Sequence, residues 1–192
     1  MQEKKQRVAI YIDGSNLYFK LRAPEFAIQQ LVGFNYRKFA DWLARERTVI
    51  SYRYYIGVVR AERDDKKSQK LRREQQRLFS HLTSSKQAFI VKRGYLMKND
   101  GVYHEKGVDV KLAVDLLVGA YDDLYDSAIL ISSDTDLIPA IQKVKHLGKH
   151  VEYIGFAHQP SFGMQRFASL SRLLIKEDIE PFAVKLEKES EK

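Results

Sequence analysis

Ser127-Ala-Ile-Leu-Ile131-Ser-Ser133-Asp134-Thr-Asp136 is the stretch whose reading decides the fold. Its middle is continuously apolar rather than alternating, the pattern of a strand buried on both faces at the centre of a parallel sheet. The strand, read over 127–132, runs out into hydroxyls and carboxylates. Pro139 cannot donate a hydrogen bond inside a helix, so the next helix is expected to start near Ile138 with Pro139 in its first turn. That leaves 133–137 as a loop able to aim two carboxylates at one point.

Working outward, the spacing predicts a helix over 108–121 after Lys106-Gly107, with Val110, Val114, Leu117 and Tyr121 as its buried row. Downstream, a helix runs to His146, Gly148 ends it, and 150–156 reads as a strand. A helical turn around 164–170 and a short strand at 172–175 follow. Upstream, strand 7–12 runs into Asp13-Gly14-Ser15-Asn16, a turn cluster that can also cap the short helix 17–21. Residues 24–34 read as a loop. Asn35 caps a helix over 36–47 whose buried side carries Phe39, Trp42 and Leu43. Strand 50–60, helix 64–82 and strand 88–95 come next, and Lys98-Asn99-Asp100-Gly101 has hairpin-turn chemistry. Strands alternating with helices in this way predict a three-layer α/β/α sandwich with a mostly parallel central sheet. One domain is expected over 1–175. The charged tail 176–192 is expected to be partly disordered or helical, frayed from about residue 187.

The chain has 192 residues and is 44% hydrophobic, enough for a real core. No apolar run approaches the roughly 18 to 20 residues that span a bilayer, so no membrane partner is expected. The polar start, Met1 to Arg7, does not read as a signal peptide. With no cysteine there are no disulfides or thiolate metal sites, and a cytoplasmic location is the expectation. The net charge is +8, with a pI near 9.5. Residues 176–192 hold four Lys against six Asp and Glu, so the tail carries −2 and the body +10. A basic body favours polyanionic partners, although charge alone does not separate nucleic-acid binding from an ordinary basic surface.

In open parallel sheets, ligands bind beyond the C-terminal ends of the strands, where the connections diverge. Asp13 follows the first strand, Asp134 and Asp136 follow the 127–132 strand, and Asp109 stands in the first turn of the 108–121 helix. Carboxylates gathered at one point repel one another and stay ionised only with a counter-charge, most simply a divalent cation. An all-oxygen set suits Mg²⁺ or Mn²⁺, which lowers the pKa of a bound water and holds a phosphodiester for in-line attack. Each carboxylate also has a plainer role: Asp13, Asp134 and Asp136 as helix caps, Asp109 as a complement to a helix N-terminus. Asp115 lies about 240° around the helix from Asp109 and reads as an i,i+4 partner of Lys111. On helix 64–82, Leu71, Leu78 and Leu82 form the packing side. Lys66, Lys70, Arg73 and Arg77 form a basic stripe away from it, either a track for RNA or a solvated face. Arg60, Arg63, Lys92 and Arg93 are further basic candidates, while Tyr52, Tyr54 and Tyr55 read as sheet packing. There is no phosphate-binding loop, no dinucleotide fingerprint, and no zinc-protease spacing among the five His. A phosphatase of the haloacid dehalogenase type needs a second Asp where Ser15 stands.

Three segments together, Val8-Ala-Ile-Tyr-Ile-Asp13-Gly-Ser-Asn16-Leu17, Lys106-Gly-Val-Asp109-Val-Lys-Leu-Ala-Val-Asp115 and Ile131-Ser-Ser-Asp134-Thr-Asp136-Leu-Ile-Pro139, resemble the NYN domain of LabA-like proteins, within the PIN-like nuclease group. The resemblance runs from about residue 7 to 156, with the motifs in family order. It implies a PIN-like fold, one or two Mg²⁺ or Mn²⁺ ions, and RNA hydrolysis. By position, Asp13, Asp109, Asp134 and Asp136 would bind metal and Asn16 would orient a ligand, a water or the scissile phosphate. Ser132 or Ser133 would support the loop. A Gly is common in the family where Ser133 and Thr135 stand. The expected activity is thus a metal-dependent ribonuclease acting on single-stranded RNA. The alternative is a non-catalytic RNA-binding or regulatory module that retains the acidic pocket. Homo-oligomerisation is left open.

Overall fold

A computed structural model describes residues 5–28, 30–59, 65–99 and 102–183, the side chains of 96–99 and 102–105 aside. Seven strands form one sheet: β1 (Arg7–Asp13), β2 (Thr48–Val58), β3 (Ile90–Asn99), β4 (Val102–Lys106), β5 (Ser127–Ile131), β6 (His150–Phe156) and β7 (Leu170–Leu174), in the order β4-β3-β2-β1-β5-β6-β7. Six strands run parallel, and β4 turns back antiparallel on β3 with Asn99 opposite Val102. Residues 100 and 101, which the hairpin expectation needs for its turn, lie outside the described residues. The α/β/α sandwich expected from the sequence is the observed fold.

Strand β1 is the axis of the molecule. Val8, Ile10 and Ile12 point into one core, with α1 (Gly14–Arg22), α2 (Tyr36–Ala44) and α3 (Lys66–Leu82) packed over it. Ala9 and Tyr11 point into the other, covered by α4 (Val108–Tyr121), α5 (Ile138–His146) and α6 (Phe162–Phe167). Every residue of β5 is buried, as its unbroken apolar run requires. The chain winds from β1 outward through β2 and β3, then crosses back to β5 on the other side of β1. The topological switch therefore falls between the C-terminal ends of β1 and β5.

Several boundaries move for local reasons. Helix α1 starts at Gly14, earlier than expected, because Asp13 caps it directly. Helix α2 stops at Ala44, since Arg45 takes φ +56°. Helix α5, by contrast, ends at His146 as expected, with Gly148 at φ +75° just beyond its cap and before His150. Residues 176–183 are part of the packed body. Helix α7 (Lys176–Ile179) buries Ile179, and the Phe182 ring lies 5.5 Å from both Phe39 and Trp42. The Asn35 N–H donates to the Phe182 carbonyl at 2.8 Å. The expected boundary at 175 falls inside this unit, and residues 184–192 lie outside the described residues.

The face of α4 is corrected. Its buried row is Val108, Leu112, Leu116 and Ala120, whereas Val110, Val114 and Tyr121 are 66%, 50% and 59% exposed. The helix is apolar almost all round, so two rows at i, i+4 compete and periodicity cannot choose between them. Close packing chooses: a Cβ at Gly119 would lie 2.7 Å from the Tyr125 ring and 3.0 Å from the Tyr11 hydroxyl, so this side must face the sheet.

Candidate functional site

Asp13 is the last residue of β1 and is 5% exposed. Its Oδ1 accepts from the Asn16 N–H at 3.0 Å, closing the first turn of α1, and its Oδ2 accepts from Ser132 Oγ at 2.9 Å. The helix can leave the strand this abruptly because residue 14 is glycine: a Cβ there would meet the Tyr55 carbonyl oxygen at 2.7 Å. Across the switch, Ser132 directly follows β5 and is fully buried. Its Oγ also accepts from the Asp134 N–H at 3.2 Å. Asp134 Oδ1 then accepts from the Asp136 N–H at 2.9 Å, opening the 3-10 turn Thr135–Leu137 that leads into α5. Ser133 shares a hydrogen bond of 3.2 Å with the Tyr153 hydroxyl. Asp13 and Asp134 thus each cap a helical turn through Oδ1, while Ser132 holds Asp13 by its Oδ2 and Asp134 by its backbone N–H.

The sequence-expected carboxylates do not all converge. Asp13 and Asp134 are joined through Ser132. Asp136 is exposed on the rim, and Asp109 is exposed in the first turn of α4, after Gly107 at φ +76°. Among the described residues, no three Asp, Glu or His side chains come close enough to share one ion. Asn16 supplies the polar atom that stands out. Its Oδ1 is buried without a hydrogen-bond partner, on the helix that Asp13 caps.

Sequence reasoning missed two neighbouring features. Asp115 does not pair with Lys111, whose ammonium reaches the Arg93 carbonyl instead. It accepts from the Tyr55 hydroxyl at 2.8 Å and pairs with Arg53 at 3.2 Å and Lys92 at 3.4 Å. Burial raises the Tyr11 phenol to about 12, and burial followed by the bond to Asp115 raises Tyr55 above the ordinary tyrosine value. Tyr11 is paired with Arg53 in the β1–β2 register and stacks on Tyr55 at 6.3 Å, a juxtaposition that no single strand's pattern displays. The second feature is Lys20, buried, which donates to the Gln159 carbonyl and to Gln159 Oε1, each at 2.9 Å, and so ties α1 to the loop after β6. Burial lowers its pKa.

Lys66, Lys70, Arg73 and Arg77 are all exposed on α3, with Lys70 4.0 Å from Glu74. Of the packing side, Leu78 and Leu82 are buried. Lys92 is committed to Asp115, Arg93 lies over the Phe79 ring at 4.8 Å, and Arg60 and Arg63 lie outside the described residues. Tyr52, Tyr54 and Tyr55 are buried in the sheet, as expected.

A carboxylate at the end of the first strand, joined through a serine to another after the neighbouring strand, lies within a family model that matches residues 7–171, described as the NYN domain. The chain belongs to the NYN domain family. Among solved structures, this NYN protein is similar to the crystal structure of a protein of unknown function from Vibrio parahaemolyticus. The TM-score is 0.63 and the identity 21%, over 93% of this chain and 98% of that one, a likeness of fold. No curated protein matches the chain.

Proposed function

We propose that this NYN protein is a metal-dependent ribonuclease of the LabA-like type, hydrolysing phosphodiester bonds in single-stranded RNA in the cytoplasm. The observation that carries the reading is the Asp13–Ser132–Asp134 link at the topological switch, beside a buried Asn16 oxygen that lacks a partner. NYN domains are generally nucleases, which supports the activity class.

The donor chemistry fits a hard cation: carboxylate and amide oxygens, with no sulfur, are the set that Mg²⁺ and Mn²⁺ take. Asp13, Asn16 and Asp134 would hold the ion, with Asp109 and Asp136 on the rim as further carboxylates. When bound, the ion would supply an acidified water and charge neutralisation at the phosphate. The chain's own part is positional. Ser132 holds the Asp13 carboxylate and the Asp134 backbone from opposite sides of the switch, and the Asp13 cap holds the first turn of α1, on which Asn16 stands. A second reading, a non-catalytic RNA-binding or regulatory module, is favoured by one observation: no three acidic side chains converge among the described residues.

Labelled single-stranded RNA incubated in Mn²⁺, Mg²⁺ or EDTA, beside an Asp134→Asn protein from a parallel preparation, separates the two. Cleavage that requires metal and vanishes in the variant supports the ribonuclease. Inert proteins across several RNAs, or equal activity in both, support the module.

A further inference from the structure

Directly beyond Asp13, helices α1 and α3 frame an open groove of about 900 Å³ floored by β2. It begins at Gly14 and Ser15, the residues after the site carboxylate, and continues past Tyr18 and Phe19 to Arg22, with Arg77 on the α3 side. Three observations describe what would fill it.

The first is aromatic. Phe19 is 71% exposed, on a nine-residue helix whose Leu17 and Leu21 already serve the core. Its ring meets Tyr18 edge to face at 5.3 Å, so the exposed Phe19 face stands at the groove rim with Tyr18 bracing its edge. The second is charge. Neither Arg22 nor Arg77 pairs with a carboxylate among the described residues. Arg77 also ends the exposed row that climbs α3 through Arg73, Lys70 and Lys66. The third is continuity, since the groove and the carboxylate pair share the β1–α1 junction.

An apolar peptide would use the ring and leave Arg22 and Arg77 idle, whereas a duplex has no free base faces to offer the ring. Unpaired nucleotides use both, stacking bases on the aromatic surface while phosphates neutralise the arginines. We propose that this groove is the binding site for the unpaired RNA nucleotides flanking the bond that is cut, with a base on Phe19 and phosphates on Arg22 and Arg77. The strand's direction toward Asp13 rests on the ribonuclease reading, but binding to the groove does not.

Fluorescence anisotropy of a labelled oligouridine in EDTA tests binding without cleavage, using the wild type, Phe19→Ala, Arg77→Ala and, as a control on the outer face of α4, Val114→Ala. Phe19→Ala is expected to weaken binding about tenfold. Arg77→Ala is expected to weaken it and lower the salt slope by about one. Val114→Ala should bind as the wild type does, and a duplex of the same sequence should bind more weakly than the single strand. Melting curves check that each variant is folded, which the exposure of Phe19 and Arg77 favours. Unchanged binding in folded Phe19→Ala, or equal affinity for duplex and single strand, overturns the groove. So does self-association in sedimentation that Phe19→Ala abolishes, because the groove would then take a second copy. A wild type that binds through Phe19 yet never cuts RNA would sink the ribonuclease reading and leave the groove standing.

Discussion

The Ser132 hydroxyl donates to Asp13 Oδ2 at 2.9 Å, joining residues 119 positions apart in the chain. Because the same oxygen accepts from the Asp134 N–H, one buried hydroxyl ties the Asp13 carboxylate at the end of β1 to the backbone of Asp134 in the loop after β5. Ser132→Ala leaves the buried Asp13 Oδ2 without this donor. The expected cost is about 1–3 kcal/mol of stability, with RNA cleavage reduced on the order of tenfold if positioning limits the reaction. Melting curves and single-turnover cleavage check the two effects separately. Full activity in a folded Ser132→Ala protein would show that the link is only structural.

Asp115 is the shared anion for Arg53 and Lys92 and the acceptor for Tyr55, while Arg53 Nε is already buried without a partner. Asp115→Ala should therefore destabilise the fold by on the order of 2 kcal/mol, since it strands a guanidinium between strand and helix. Asp115→Asn, which keeps an oxygen for Tyr55, should cost less. Chemical denaturation of both variants checks the ranking.

At the opposite end of the sheet from the site, Arg7 holds Asp126 by a bidentate pair, with Nη2 to Oδ1 at 2.7 Å and Nε to Oδ2 at 3.3 Å. This hydrogen bonding lowers the Asp126 carboxyl from 3.8 to about 2. A carboxyl with a depressed folded value stabilises the protein above its unfolded pKa, and that share is lost as pH falls toward the folded value. The window is thus from about pH 4 down to about 2. With the Asp126 side chain 37% exposed, solvent screening keeps the share below about 1 kcal/mol. The melting-temperature gap between wild type and Asp126→Asn should be constant above pH 4 and shrink below it, with RNA cleavage at neutral pH unaffected.

Two glycines should respond to alanine for different reasons. At Gly119 the new methyl meets the Tyr125 ring at 2.7 Å, and overpacking is expected to cost about 1–3 kcal/mol. At Gly148 nothing lies within 4 Å, but φ is +75°, so the cost is backbone strain of about 1 kcal/mol. Leu112→Ala against Val114→Ala tests the same helix face, with a loss of about 2–5 kcal/mol expected for the first and within about 0.5 kcal/mol for the second. Equal losses at positions 112 and 114 would contradict the observed orientation of α4.

The layers and the central strand were legible because β5 is apolar without interruption and the ends of β1 and β5 are marked by Asp13 and Asp134 as caps. The placement of Asp13 and Asp134 at one edge of the sheet was legible as well, since both follow parallel strands at their C-terminal ends. The orientation of α4 was hidden: two apolar rows on one helix look alike until Gly119 meets Tyr125 and Tyr11. The Asp115 cluster was hidden because it depends on the β1–β2 register, which brings Tyr11 beside Arg53. Lys20 was hidden because a lysine in a short helix reads as solvated, and only the loop carrying Gln159 buries it. The degree to which Asp109 approaches Asp13 was equally beyond the motif, since it depends on how α4 leaves Gly107.

Asp13 closes the first turn of α1, and α1 is one wall of the groove. Neutralising Asp13 would thus disturb two things at once, the acidic edge and the helix that carries Phe19. A silent Asp13 variant is an ambiguous result for anyone dissecting this protein, because lost chemistry and a loosened wall give the same blank gel. Asp134 caps only a single 3-10 turn on the far side of the switch, which makes it the cleaner position at which to test the proposed chemistry apart from the proposed binding.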